Sequence, residues 1–281
     1  MSRRPLRPGQ PSAMAAGTGG RDSGQYWDRV ATDWQGDEVL DGWRGHADAV
    51  NLALCARWWP PGPVGRMLKT DLFDEVAGGG LLPTLRTQAG SAVAIDRSFQ
   101  ASHAGGRRTG ASVVNADVRC LPFAGGVFDL VVSNSTLDHF DDVAQIERAV
   151  VEIHRVLAPG GRLILTLDNP ANPVVAVRNA LPFALLHHVG LVPYYVGATL
   201  AAPGAQRMLR AAGFTVRETT ALLHCPRAPA IALFGLMRWI GSPRIRRRLQ
   251  SWLMVFERLE RSATRHRTGY YVALVADKEG R

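Results

Sequence analysis

Lysine is nearly missing from this chain of 281 residues: Lys69 and Lys278 stand beside 31 arginines. A GC-rich coding sequence produces that skew without selection for arginine chemistry, so the formal net charge of +9 is not in itself a nucleic-acid signature. Cysteine is scarce as well. Cys55, Cys120 and Cys225 lie far apart with no CxxC or Cys/His spacing, which excludes a zinc ribbon or finger and leaves reduced thiols; no metal site is expected. The start of the chain lacks a continuous apolar run. Residues 1–24 are rich in Gly, Pro and Ser and offer too little bulky apolar surface to offset the entropy of ordering. That excludes a signal peptide and predicts a disordered 1–24 segment on a cytoplasmic protein. Between Ala180 and Gln206 there is no Asp, Glu, Lys or Arg. Length alone permits a membrane span there, yet Pro182, Pro193, Pro203, the pair His187-His188 and three glycines exclude one. The stretch reads as a cap, buried or covering a substrate.

What is present suffices for a full core: 46% hydrophobic residues against 20% charged, with no internal repeat. At this length one elaborated domain is expected. Tyr26, Trp27, Val30, Ala31 and Trp34 recur at three- and four-residue spacing and predict a first helix. A second is predicted from His46 to Trp58, stopped by Pro60-Pro61. Short β-like runs then alternate with helical stretches, at 65–71, 91–96, 112–116, 128–133 and 162–167, and two more follow at 214–223 and 270–276. Such alternation predicts parallel strands joined by right-handed crossovers, with ligands at the strand carboxyl ends.

The informative residues sit at those ends. Asp96, closing the second run, is placed to accept two hydrogen bonds from ribose hydroxyls. Asp117, after the third, suits an adenine amino group beside the apolar Val118. Next come Leu121-Pro122-Phe123, the run FDLVVSNSTLDHF from Phe128 to Phe140, and HRVLAPGGRLIL, a helix end, a Pro-Gly-Gly turn and a strand start. His139 is a residue type suited to general-base work, and Asp138 stands beside it; the plainer reading has both capping a helix that begins near Asp141 and Asp142. Asp168-Asn169-Pro170 closes the fifth run, either lining an acceptor pocket or starting a turn.

In this order AIDRS, NADVRCLPF, FDLVVSNSTLDHF and HRVLAPGGRLIL resemble the class I S-adenosylmethionine-dependent methyltransferases, and YWDRVATDW resembles the N-terminal helix that covers their cofactor. The resemblance runs from about Tyr26 to Lys278. It implies an α/β, Rossmann-like sheet of seven strands in order 3-2-1-4-5-7-6, the last antiparallel, with helices on both faces. It implies one methyltransferase domain over 25–278: a helical lid at 25–60, a cofactor-binding core at 61–169, a cap insertion at 170–206 and a basic helical insertion at 225–268. The implied cofactor is S-adenosylmethionine, with Asp96, Arg97, Asp117, Val118, Ser133 and Asn134 among its binding residues. Where the family carries glycines after its first strand, this chain has Asp71, Phe73 and Glu75. The expected substitute for that turn is Asp71 with a displaced Gly78-Gly79-Gly80, holding the methionine end.

No Asn-Pro-Pro-Tyr follows the fourth run, which disfavours amide and nucleobase nitrogen and points to oxygen or carbon of a small, apolar acceptor. The charge is localised: +7 falls between Arg238 and Arg267 and +3 in residues 1–24, leaving the rest near neutral. With the apolar run at 228–240 before it, the basic insertion suits a lid over a lipophilic acceptor or peripheral contact with an anionic membrane through 228–267. The alternatives are an RNA methyltransferase using that insertion, or a degenerate, non-catalytic methyltransferase-like binding protein. Basic residues are not interleaved with aromatics, which places nucleic acid lower. Nothing in the sequence selects an oligomeric state.

Overall fold

The computed structural model describes residues 24–33, 38–188, 192, 194–240 and 242–280. Of the segment expected to be disordered, 1–23 lies outside the described residues, and Gly24 opens a helix. Seven strands form one sheet: β1 (Val64–Lys69), β2 (Ala89–Asp96), β3 (Ser112–Asn115), β4 (Phe128–Asn134), β5 (Leu157–Asp168), β6 (Phe214–Leu222) and β7 (Tyr271–Lys278). Their order is β3-β2-β1-β4-β5-β7-β6. β1 to β5 pair in parallel, and β7 runs antiparallel to both of its neighbours.

Helices cover both faces because successive strand residues alternate sides. On one face Leu68, Ile95, Val131, Leu163 and Leu165 meet α6 (Val143–Val156) and α9 (Ala202–Ala211). The buried stripe of α6 is Ile146, Ala149, Val150, Ile153 and Val156, the spacing of one apolar helix face. Asp142 caps it by accepting from the Gln145 N–H at 2.9 Å. On the other face Met67, Ala94, Leu130, Val132 and Ile164 meet α2 (Glu38–Trp58) and α10 (Arg227–Ile240). The remaining helices are α1 (Gly24–Asp33), α3 (Phe73–Ala77), α4 (Leu82–Leu85), α5 (Phe99–Thr109), α7 (Pro173–Ala180), α8 (Phe183–His188), α11 (Pro243–Leu253) and α12 (Arg265–Thr268).

Most boundaries shift by a residue or two from the sequence reading, and three of the differences bear on the site or its support. α2 begins at Glu38 rather than His46, although Gly42 and Gly45 weaken a helix. The Phe234 ring of α10 occupies the space a Cβ at position 42 needs, so glycine there lets two helices touch. β5 begins at Leu157, which pairs with Phe128; Pro159-Gly160-Gly161 is an irregularity within the strand, with Gly160 at φ +78. β1 ends at Lys69, whose ammonium donates to the Asp71 carbonyl in the loop that follows.

The cap splits into two parts. α7, α8 and an irregular stretch lie over the carboxyl end of the sheet, whereas residues from Ala202 onward belong to α9, the crossover into β6, with Ala205 and Leu209 buried in the main core. Gly197 is fastened by its N–H to the Asp138 carbonyl at 2.8 Å, with no room for a side chain against the Phe140 carbonyl. The basic insertion is α10, α11, a short 3-10 turn at Phe256–Arg261 and α12, and it packs on α2 through Ala230, Phe234 and Leu253. No described helix is long and apolar enough to cross a membrane.

Candidate active site

The loop after β1 is shaped by side chains rather than by glycines. Lys69, fully buried, donates to the Asp71 carbonyl at 2.9 Å, to Asp71 Oδ1 at 3.2 Å and to Glu75 Oε2 at 3.1 Å. Burial pulls the ammonium pKa down, and the charges of Asp71, Glu75 and Asp74 more than reverse it, leaving it above its ordinary value. Glu75, also buried, turns its other oxygen to the Leu81 and Leu82 N–H groups at 3.0 and 2.9 Å. Gly80, at φ +69, wraps this carboxylate so closely that a Cβ there would meet it at 2.6 Å. Arg108 and Arg44 bind the carbonyls of Val76, Gly78 and Ala77 at the end of α3. This corrects the expectation for the displaced glycines. Gly80 wraps Glu75, and none of Gly78, Gly79 and Gly80 lines the cavity, whereas Asp71, Phe73 and Asp74 do.

The cavity spans about 1380 Å³, mouth included, at the carboxyl ends of the strands. Sheet order serves as a ruler across it, since neighbouring strands lie ~4.8 Å apart. At the β3-β2-β1 end are Asp117, Val118, Asp96, Arg97, Asp71 and Asp74, with Asn134 after β4. Asp96 accepts from the Leu72 and Ser98 N–H groups, one to each oxygen, both at 2.8 Å. Each oxygen keeps a lone pair for a ligand. Burial pushes its pKa up to about 7, and that of Asp48 up to about 6. Asp74 is likewise raised, by burial and then by Asp71, and accepts from Asn134 Nδ2 at 3.2 Å. Asp117 is engaged: Arg119 reaches it at 2.6 Å and Arg97 at 3.6 Å. Burial works to raise its pKa, and the Arg119 hydrogen bonds and charge more than offset this. Ser133, expected among the binding residues, is fully buried behind the wall, where its hydroxyl accepts from Thr70 at 3.0 Å. Thr136, next along, takes the wall position and donates to Asp71 at 2.9 Å.

His139 and Asp138 form a pair at the middle of the cavity. The ring Nδ1 lies 2.9 Å from the Tyr195 carbonyl, which can only accept, so Nδ1 carries a proton and Nε2 is left as the basic nitrogen. Nε2 is 3.7 Å from Asp138 Oδ1. Asp138 is fully buried: its Oδ2 accepts from Ser135 Oγ at 2.9 Å and the Asp168 N–H at 3.0 Å, and Oδ1 has no hydrogen-bond partner. Ser135 at φ 49 and Leu223 at φ 56 are the two non-glycine residues in left-handed backbone among those described, and both line this cavity. Asp168 is buried and bound to Arg178 at 2.6 Å, with His187 tied to the Val192 carbonyl at 3.1 Å.

Sequence reasoning missed the aromatic end. Trp27, Trp43, Phe73, Tyr194 and Tyr271 line the cavity, Phe73 beside the acids after β1 and Tyr271 with Arg227 at the β6–β7 end. Trp27 packs on His139 at 4.7 Å between ring centroids, and Tyr194 stands against Phe73 at 5.5 Å and His139 at 5.6 Å. α1 bridges the two ends: Asp28 accepts from Ser98 Oγ at 2.6 Å, and the Tyr26 hydroxyl accepts from the Tyr195 N–H at 2.7 Å. The one available signal for these residues was the tryptophan and tyrosine content of the lid and cap.

Residues 76–165 match a family described as a methyltransferase domain. A demethylmenaquinone methyltransferase of Thermus thermophilus is 35% identical over 118 residues, covering 37% of this chain and 52% of that protein. The chain thus aligns with about half the length of that relative. Among solved structures, the N-methyltransferase NodS from Bradyrhizobium japonicum, bound to S-adenosylhomocysteine, is 17% identical, covers 90% of this chain and 97% of that one, and superimposes with a TM-score of 0.52. The [4+2]-cyclase SpnF is 18% identical over 92% of this chain and 95% of that one, with a TM-score of 0.57. At such identities the structural likeness bears on fold alone, and a cyclase among these folds is a reminder that fold does not fix reaction. Strand order and the domain match over residues 76–165 bear out the resemblance to the class I S-adenosylmethionine-dependent methyltransferases.

Proposed function

We propose that the protein transfers a methyl group from S-adenosylmethionine to an oxygen or carbon of a small, largely apolar acceptor. The observation that carries this is a single cavity with an acidic end, an aromatic end and the His139–Asp138 pair between them. The acidic end fits the cofactor's chemistry. Asp96 offers two free lone pairs to ribose hydroxyls, and the half-buried carboxylates of Asp71 and Asp74 gain by facing a cation. Val118 offers an apolar edge to a base; Asp117, already held by Arg119, adds less than the sequence implied. When bound, S-adenosylmethionine supplies a methyl group activated on a sulfonium. The chain's own work is to align the acceptor, exclude water and take one proton. α1 and the cap exclude water, closed over the cavity by the Asp28 and Tyr26 hydrogen bonds. His139 Nε2 is the base, with the buried Asp138 carboxylate stabilising the imidazolium it becomes.

The test uses methyl-labelled S-adenosylmethionine, the purified full chain and a small-molecule extract of cells. Label is expected in a base-stable, organic-soluble product, lowered about 10²-fold or more by His139→Gln. Label confined to amines or to RNA, or none, contradicts the proposal. The exposed face of α11 and the residues just after it, where Ile245, Trp252 and Val255 lie among Arg244 and Arg248, supports a place at an anionic bilayer surface for the same reaction.

A further inference from the structure

We propose that the acceptor carries a carboxylate, which Arg227 and Tyr271 hold at the end of the cavity farthest from Asp96 and Asp117. The inference rests on the methyltransferase reading and gives its acceptor a chemical class. Tyr271 begins β7, and Arg227 begins α10, just after β6. From β2, which carries Asp96, to β7 is four strand steps, about 19 Å along the sheet. A ligand held by Asp96 and Asp71 therefore leaves this end for a second molecule.

Arg227 faces the cavity with its guanidinium 5.9 Å from the centroid of the Trp43 ring, and no described residue gives it a carboxylate or carbonyl partner. The other cavity arginines are engaged, Arg44 with the Ala77 carbonyl and Arg97 near Asp117. The neighbouring acids face other groups: Asp168 is bound by Arg178 at 2.6 Å, and Asp138 accepts from Ser135 through Oδ2 and turns Oδ1 to His139 Nε2 at 3.7 Å. Tyr271 also lacks a hydrogen-bond partner among the described residues. Burial first, then the charges of Asp168 and Asp138, push its pKa well above the ordinary value, so its hydroxyl stays protonated and donates. A half-buried guanidinium fork and a phenol, unpaired in a cavity walled by Trp43 and Tyr194, match a planar anion in charge and shape. A single fork and a single hydroxyl suit a carboxylate; a phosphate dianion needs more donors.

The test titrates benzoate and its neutral isostere benzamide into the full chain by calorimetry, with and without S-adenosylhomocysteine, following tryptophan fluorescence in parallel. Benzoate is expected to bind at least tenfold more tightly than benzamide. Arg227→Met should erase that preference, Arg227→Lys should keep part of it, and both should leave affinity for S-adenosylhomocysteine within twofold, which also reports that they fold. Equal binding of the two probes, or a preference that survives Arg227→Met, overturns the inference. A tenfold loss of S-adenosylhomocysteine affinity in Arg227→Met overturns it differently, since the arginine then holds the cofactor's own carboxylate. Failure of the wild type to bind S-adenosylhomocysteine is failure of the methyltransferase reading, and the preference measured without it still decides the role of Arg227.

Discussion

The two ends of the cavity are made in opposite ways. At the β1–β3 end, charges lie close in sequence and fix one another: Lys69, Asp71, Asp74 and Glu75 fall within seven residues and share one ammonium and a few backbone N–H groups. At the β6–β7 end, rings and one cation come from residues 27, 43, 194, 227 and 271, which meet only when lid, cap and insertion have folded over the sheet. The first end is built to hold its shape without a ligand. The second depends on packing between insertions and leaves a guanidinium without a protein partner among the described residues. A fixed charge pattern for the common ligand, and an assembled, partly unsatisfied pocket for the particular one, is the division this contrast teaches.

The largest expected effect breaks the first end. Lys69→Met leaves Glu75 and Asp71 buried without their cation, and is expected to lower stability by about 3–5 kcal/mol in denaturant melts. Arg227→Met, at the other end, is expected to leave stability within about 1 kcal/mol, because it removes no ion pair. Equal losses would mean that the two ends are not built differently.

That contrast also explains what could be read from the sequence. Asp96 at the end of β2 was legible because it is local, a residue type at a strand end, whereas the Pro-Gly-Gly segment before Arg162, read as a turn, lies within β5. Strand order followed from the resemblance carried by those same motifs. The loop after β1 was read half correctly. Asp71 lines the cavity, whereas Gly78-Gly79-Gly80 does not, because Gly80 wraps Glu75, a contact no spacing reveals. Ser133 faces the interior because strand alternation extends to the end of β4, moving the wall position to Asn134 and Thr136. Arg227 and Tyr271 carry no local pattern at all, and only the antiparallel insertion of β7 between β5 and β6 brings them to the site.

The next effect is a pH dependence confined to one end. Asp48 and Asp96, with folded pKa values near 6 and 7, together with the raised Asp74, must ionise to face a cation. Affinity for S-adenosylmethionine is therefore expected to rise about tenfold between pH 6 and pH 8 in calorimetric titrations. The sign for stability is opposite. These carboxyls bind protons more tightly folded than unfolded, so the ligand-free protein loses stability as pH rises from about 4, where they ionise unfolded, through about 6 for Asp48 and about 7 for Asp96. Benzoate affinity should change less than twofold over the same range. A flat profile for both ligands would remove the acid-lined end from cofactor binding.

The smallest effect lies outside the cavity. Vesicles rich in phosphatidylglycerol are expected to retain the protein a few-fold better than neutral vesicles, and Trp252→Ser should abolish the difference. Preferential retention on RNA in the same buffer would assign the insertion to a different partner.

The central claim, that side chains in place of glycines still build a working cofactor site, is tested most directly by calorimetric titration of S-adenosylhomocysteine into the wild type and Asp96→Asn at pH 8. One-to-one binding by the wild type, weakened about a hundredfold by Asp96→Asn with no change in melting temperature of the size expected for Lys69→Met, is the result this account requires. No binding by well-folded wild-type protein, or equal binding by Asp96→Asn, would contradict it.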